Sequence, residues 1–263
     1  MAGVRVERRE HGVVVLVLDD PDRRNAMTME MGESLQRAAH ELRDDDTTRV
    51  VVVTGAPPAF SAGGDLAMLE DLARRTREEG FDATDTMRSF YTRFLALRDI
   101  PVPVIAAVNG HAVGAGLCVA LACDLLVVAE EAKVGLNFAR LGLHPGMAGS
   151  WLLPRTLGPQ QAARLLYTGG LISGGEAAEI GLALHARAQD EVLDDALALA
   201  EEIAASSPVV VRQLKRTLRA EAPDLPSALA AEAACQAVNY GSDDFQEGMA
   251  AARERRTPDF PGS

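Results

Sequence analysis

Cysteine is scarce in this chain: three among 263 residues, Cys118, Cys123 and Cys235, with no CxxC pair and no Cys/His set at zinc-ligand spacing. Disulfide-stapled and zinc-centred folds are excluded, no metal is expected, and reduced thiols in a cytoplasmic setting fit best. Basic charge is in deficit, with 26 lysines and arginines against 38 acids and a net charge of −12, which opposes attraction to nucleic acid or anionic lipid. Long apolar runs are missing as well. Stretches such as Leu125 to Ala129 fall far short of a bilayer span. The opening MAGVRVERREHG lacks the apolar core of a signal peptide, and Glu7, Glu10 and Asp19 argue against a transit peptide. No nucleic-acid partner and no membrane are therefore expected. What is present, 48% hydrophobic and 24% charged residues, describes a globular chain. A chain this long buries about three quarters of its unfolded surface and needs no covalent staple.

Short β-branched runs recur, each closed by a turn residue: Val13 to Leu18, Val50 to Thr54, Val104 to Val108 and Leu125 to Ala129. They read as buried strands. Between them lie helical patterns at Met27 to Leu42, with Thr28 as its cap, and at Thr86 to Leu97. Strand and helix alternate, so the fold class is α/β. After Ser173 the text turns Ala-rich and helical, at Gly174 to Gly181, Glu191 to Ser206, Pro208 to Arg219 and one last long helix at Pro226 to Ala252. A boundary is placed at residue 200, giving a core over 1–200 and a helical C-terminal segment over 201–263. Glu70 to Thr86 is dense in charge and interrupted by Gly80, which fits either a lid over a site or a solvated helix face with a loop.

Several signatures are absent. Gly114-Ala115-Gly116 lacks the third glycine of a dinucleotide fingerprint, and there is no GxxxxGK[ST] phosphate loop. Ser150, in AGSWL, is not a GxSxG nucleophile elbow, and His40-Glu41 has no second histidine for a zinc site. Two glycine-containing turns stand out because each follows a strand and leads toward a helix: Ala59 to Leu66 and Asn109 to Gly116. Small residues there let a ligand approach main-chain N–H groups, and a helix N-terminus adds positive partial charge. Converging, the two turns would form an oxyanion hole; apart, they are ordinary strand-to-helix connections.

Five blocks then carry a resemblance: PDRRNAMTMEM at 21–31, AFSAGGDL at 59–66, PVIAAVNGHAVGAGLCVALACDLLVVAEEAKVGL at 103–136, LGLHPGMAGSWLLPRTLG at 141–158, and the ending EGMAAARERRTPDFPG. In this order, and almost end to end, the chain resembles the crotonase superfamily, the enoyl-CoA hydratase/isomerase family. The resemblance implies a spiral of repeated ββα units with a C-terminal helical segment that oligomerises, as homotrimers or hexamers. The substrate it implies is an acyl-CoA thioester, with coenzyme A part of that substrate and no separate cofactor. Gly64 and Ala115 match the positions whose backbone N–H groups grip the thioester oxygen. Ala26, Ala62, Gly64, Asp65, Leu66 and Ala67 match the region lining the CoA groove. Arg24, and Arg255 or Arg256 from the tail, are candidate donors to CoA phosphates.

The chain departs from the family pattern where hydration chemistry sits. The two glutamates of family hydratases match Cys118 and Phe138, and a third position, acidic in other branches, reads Gly146. His144 has the intrinsic pKa for acid/base work, or is a histidine packed at a turn. Cys118 lies close to a helix N-terminus, which lowers a thiol pKa, in an apolar setting, which raises it. Phe138 reads as a wall of the acyl pocket, and Asp65 as a helix cap. Ser61, His111 and Asp124 have structural readings too. The expectation is an acyl-CoA enzyme stabilising a thioester enolate, with isomerase, decarboxylase or thioesterase chemistry open beside hydration. The alternatives are a noncatalytic acyl-CoA-binding protein and a partner subunit that binds no CoA.

Overall fold

A computed structural model describes residues 3–220 and 222–262. The β-branched runs form strands: β1 (Gly3–Arg8), β2 (Val13–Asp19), β3 (Val50–Gly55), β4 (Val104–Val108), β5 (Ala112–Val113), β6 (Leu125–Ala129), β7 (Lys133–Gly135), β8 (Ile172–Ser173) and β9 (His185–Arg187). They assemble into a six-stranded sheet of order β1-β2-β3-β4-β6-β9 and a small sheet of order β5-β7-β8. In the large sheet β1 runs antiparallel to β2 and all later pairings are parallel. Every residue of β3 and β4 is buried, which is why those strands read as unbroken apolar runs: a parallel sheet covered on both faces has no solvent side to alternate with.

Helices fill the connections: α1 (Met29–Arg43), α2 (Leu66–Glu79), α3 (Thr84–Leu95), α4 (Ala115–Ala122), α5 (Gly149–Thr168), α6 (Gly174–Glu179), α7 (Val192–Ala204), α8 (Pro208–Ala220), α9 (Leu225–Asn239) and α10 (Asp243–Glu254). Thr28 caps α1 by accepting the Met31 N–H at 3.1 Å, and α1 buries Met31, Leu35, Ala38, Ala39 and Leu42. The ββα repeat is visible in the chain path. β4 leads to β5 and then α4, β6 leads to β7 and then α5, and β3 leads to a bridge between Ser61 and Ala112 and then α2. Each unit therefore contributes one long strand to the large sheet and one short pairing to the small one. That places the turns before α2 and α4 side by side.

Two expectations are corrected. The last helix is two, α9 and α10, because Ser242 caps a new start by accepting the Phe245 N–H at 3.1 Å. The stretch after Ser173 is not helical throughout: β9 pairs with β6, a three-residue edge whose His185 and Arg187 give no strand pattern and whose pairing alone defines it. The charged stretch 70–86 holds the end of α2, a left-handed Gly80 cap and the start of α3. Residue 200 lies inside α7, which buries Val192, Ala196, Ala200 and Ala204 and packs on β3 and β4. The helices less enclosed by the core begin with α8. Among the described residues no helix is long and apolar enough to cross a membrane.

α8 is clamped to the start of β4 by one carboxylate. Asp124 meets Lys215 Nζ at 2.8 Å and Arg219 at 2.7 Å, and accepts the Val104 N–H at 2.8 Å. Lys215 is only 7% exposed and donates to the Val102 carbonyl at 2.6 Å. Burial pushes its amine down to about 8 from an ordinary 10.5, with Asp124 pulling the other way. Between those two values the unfolded chain holds more protons than the folded one, so this group's contribution to stability rises with pH. The stability of the wild type relative to Lys215→Met is expected to climb from pH 8 to 10.5 in urea titrations; a flat difference would mean that the amine is not depressed.

Candidate active site

The two glycine-containing turns converge. Ser61 donates its N–H to the His111 carbonyl at 3.0 Å and accepts the Val113 N–H on its own carbonyl at 3.2 Å, so the turns are joined backbone to backbone. The glycines make this closeness possible. A Cβ on Gly63, whose φ is +97°, would lie 2.5 Å from the Val113 carbonyl oxygen, and one on Gly116 would lie 2.7 to 2.9 Å from Ser61 atoms. Two of the small residues expected to admit a ligand thus serve turn-to-turn packing. Gly64 differs: a Cβ there meets only the Leu69 side chain at 3.5 Å.

Two amides are left over by this construction. Met27 pairs with residues 63 and 65, donating to the Gly63 carbonyl and accepting from the Asp65 N–H, so the Gly64 N–H faces away from that bridge. Ala115 is the first residue of α4, where no carbonyl lies one turn back to receive its N–H. Neither amide has a protein acceptor among the described residues, and both residues line one cavity of about 730 Å³. Gly114 turns the chain into α4 at φ +56° and ψ −119°, a conformation open to glycine.

The cavity is apolar. Leu66, Leu69, Leu72 and Met68 of α2, none of them fully buried, face Met87 and Phe90 of α3 across it, with Leu141, Leu143 and Met147 completing the wall. Its polar side chains are Thr76, Arg77, Tyr91, Asn137 and His144, with no carboxylate among them. α2 therefore covers the site, which gives the charged stretch from Glu70 its place above the cavity.

The remaining candidates fall as follows. Cys118 is fully buried; its thiol lies 3.5 Å from the Gly146 carbonyl, and burial pushes it up to about 12. The desolvation of α4, buried on every side, outweighs the helix N-terminus, and the thiol stays protonated. The Phe138 ring stands 3.8 Å from where a Gly114 Cβ would be, beside the Ala115 amide. His144 is exposed on the cavity rim, with Nδ1 2.9 Å from the Pro145 carbonyl. Ala62, Gly64 and Leu66 line the cavity; Ala26 is buried and Ala67 is exposed, and neither is on the lining. Asp65 caps α2, accepting the Met68 N–H at 2.8 Å. Arg24 is exposed, and its carbonyl accepts the Ala62 N–H. Arg256 is held by Glu247 and Glu254, whereas Arg255 has no such bridge among the described residues.

Ser61, His111 and Asp124 all hold backbone. Ser61 donates to the Asn25 carbonyl at 2.8 Å, and His111 Nδ1 receives the Lys133 N–H at 3.0 Å. Sequence reasoning missed Asn25 and Tyr91. Asn25, fully buried at φ +54°, donates to the Ala56 and Ala59 carbonyls and so fixes the loop before Ser61. An asparagine in the RRNAM turn, a residue type tolerant of positive φ, was the available signal. Tyr91 lies inside the helical pattern from Thr86 to Leu97, where nothing in its type or spacing signals a site.

The comparisons agree with this architecture. The family model described as enoyl-CoA hydratase/isomerase matches residues 8–263. The chain is 38% identical over 257 residues to the mitochondrial enoyl-CoA hydratase domain-containing protein 2 of Mus musculus, covering 95% of this chain and 85% of that protein. Among solved structures, an enoyl-CoA hydratase from Bacillus anthracis superposes at a TM-score of 0.89 with 32% identity, over 99% of each chain. One from Polaromonas sp. JS666 also gives 0.89, at 30% identity over 98% of this chain and 99% of that one. With the fold, the full-length family match and these relatives in agreement, the chain belongs to the enoyl-CoA hydratase/isomerase family of the crotonase superfamily.

Proposed function

We propose that this protein is an acyl-CoA enzyme that stabilises a thioester enolate between the Gly64 and Ala115 amides. The observation that carries the reading is that two N–H groups from separate turns are left without protein acceptors on one apolar cavity. Enolisation moves negative charge onto the thioester oxygen, and preorganised donors stabilise that charge more than the ground-state carbonyl. The acyl group occupies the space under α2. The CoA moiety leaves past Ala62, Leu66 and Ala67 toward Arg24, with Asp65 and Ala26 shaping the turn beside it and Arg255 a further hydrogen-bond donor to its phosphates. The setting is cytoplasmic, in homotrimers or hexamers that cover exposed α9 residues such as Leu225, Leu229 and Val238.

Hydration is the least supported of the family reactions, since Cys118 and Phe138 stand in place of its two glutamates and no carboxylate lines the cavity. That same lack favours a second reading, a noncatalytic acyl-CoA-binding protein. Calorimetry with butyryl-CoA, beside turnover assays on enoyl-, malonyl- and aromatic-CoA esters, separates the two. Binding with turnover of at least one ester is the expected result, and binding without turnover of any would establish the carrier. Absence of binding would leave the partner subunit. The double substitution Cys118→Glu with Phe138→Glu is expected to raise crotonyl-CoA hydration by about 100-fold, the lower range for positioned acid/base groups; no gain would mean that these positions do not face the reacting carbons.

A further inference from the structure

Tyr91 has a place in this cavity and lies outside the five blocks that carry the family resemblance. It lies on α3, lines the cavity, and its hydroxyl has no hydrogen-bond partner among the described residues. A Cβ built on Gly146 would fall 2.6 Å from the Tyr91 hydroxyl and 2.7 Å from its Cζ, so the phenol occupies the space a side chain at 146 would need. The Gly146 carbonyl in turn faces the Cys118 thiol, one turn into the helix that begins with the Ala115 amide. Three positions where the resemblance implies carboxylates are thus cysteine, phenylalanine and glycine, and a phenol stands against the last of them. Burial holds that phenol above its usual range and protonated. His144 is a poorer donor, being exposed with Nδ1 committed to the Pro145 carbonyl.

This cavity encloses a protonated phenol and no carboxylate, and its one histidine, His144, lies on the exposed rim, so it has an enclosed acid but no enclosed base. Enolates that need proton abstraction are therefore ill served. One class of thioester forms its enolate without a base: acyl groups with a carboxylate on the carbon next to the thioester carbonyl, which lose CO₂. Arg77, on α2, has no ion-pair partner among the described residues and is the one guanidinium on the lining, a counter-charge for such a substrate in a protein of net charge −12.

We propose that Tyr91 is the proton donor of this site and that its substrates are α-carboxyacyl thioesters. The inference rests on the oxyanion reading of Gly64 and Ala115. The bond between the α-carbon and the carboxylate breaks, CO₂ leaves, and the electron pair enters the enolate held by the two amides. The enolate pair then takes the Tyr91 proton: a C–H bond forms, the O–H bond breaks, and the thioester carbonyl returns. Water reprotonates the phenolate.

The test uses the full-length protein with malonyl-CoA, methylmalonyl-CoA and ethylmalonyl-CoA in D₂O, following CO₂ release and the configuration of the deuterated product from the two substituted esters. Wild type is expected to release CO₂ and give one deuterium of a single configuration. Tyr91→Phe is expected to lower kcat by about 100-fold or more, with butyryl-CoA affinity unchanged, and to give racemic label as water replaces the phenol. Arg77→Met is expected to raise KM for the carboxylated esters alone. Unchanged rate and configuration in Tyr91→Phe would overturn the donor assignment, as would loss of configuration in His144→Gln but not in Tyr91→Phe. Binding of butyryl-CoA without decarboxylation of any of the three esters would overturn the substrate class. Failure to bind butyryl-CoA at all would instead sink the oxyanion reading beneath it.

Discussion

Gly63→Ala is expected to destabilise the protein by about 3 kcal/mol and to lower turnover by about 100-fold or more, from backbone strain added to overpacking and from displaced oxyanion donors. The φ of +97° is costly for any residue with a Cβ, and the new methyl would sit 2.5 Å from the Val113 carbonyl oxygen, which is backbone and cannot rotate away. Relief comes only by moving the 61–65 turn off the 112–115 turn, and that movement separates the Gly64 and Ala115 amides. Gly64→Ala supplies the contrast. Its Cβ touches only the flexible Leu69 side chain at 3.5 Å, so its stability should stay within about 0.5 kcal/mol of wild type. Urea unfolding of the two variants checks the pair of expectations. Equal losses would show that the turns are not locked together at residue 63.

Asp124→Ala is expected to cost about 3 to 5 kcal/mol, the range for removing one partner of a buried ion pair. The change leaves the Lys215 ammonium enclosed without its counter-charge, leaves Arg219 with only its bond to the Arg98 carbonyl, and deprives the Val104 N–H of its acceptor at the start of β4. Lys215→Met in the same background should recover part of the loss, because the uncompensated charge goes with the amine. Denaturant unfolding of the two single variants and the double one measures this. Strictly additive losses would mean that Asp124 acts through the Val104 bond and Arg219 alone.

The strands of the core were legible because burial on both faces writes itself as consecutive valines, isoleucines and alanines. α1 was legible because Thr28 and the spacing of Met31, Leu35 and Leu42 act over one or two turns. α5 escaped, since Pro154, Pro159 and a non-helical Gly158 interrupt its pattern, and so did β9, which exists only by pairing with β6. Both turns of the site were legible from their glycines, but which glycine packs and which borders the cavity was not. Gly63 and Gly64 are adjacent and alike in sequence, and only the neighbouring turn distinguishes them.

The amino-acid sequence by itself determined the α/β class, the family, the two turns and the lack of carboxylates at positions 118, 138 and 146, because each is a matter of residue type and local order. The tertiary structure decided the protonated state of Cys118, the pairing of Lys215 with Asp124, and the meeting of Tyr91 with Gly146. Each of these depends on solvent exclusion and on contacts between distant segments, and local propensity carries no record of either.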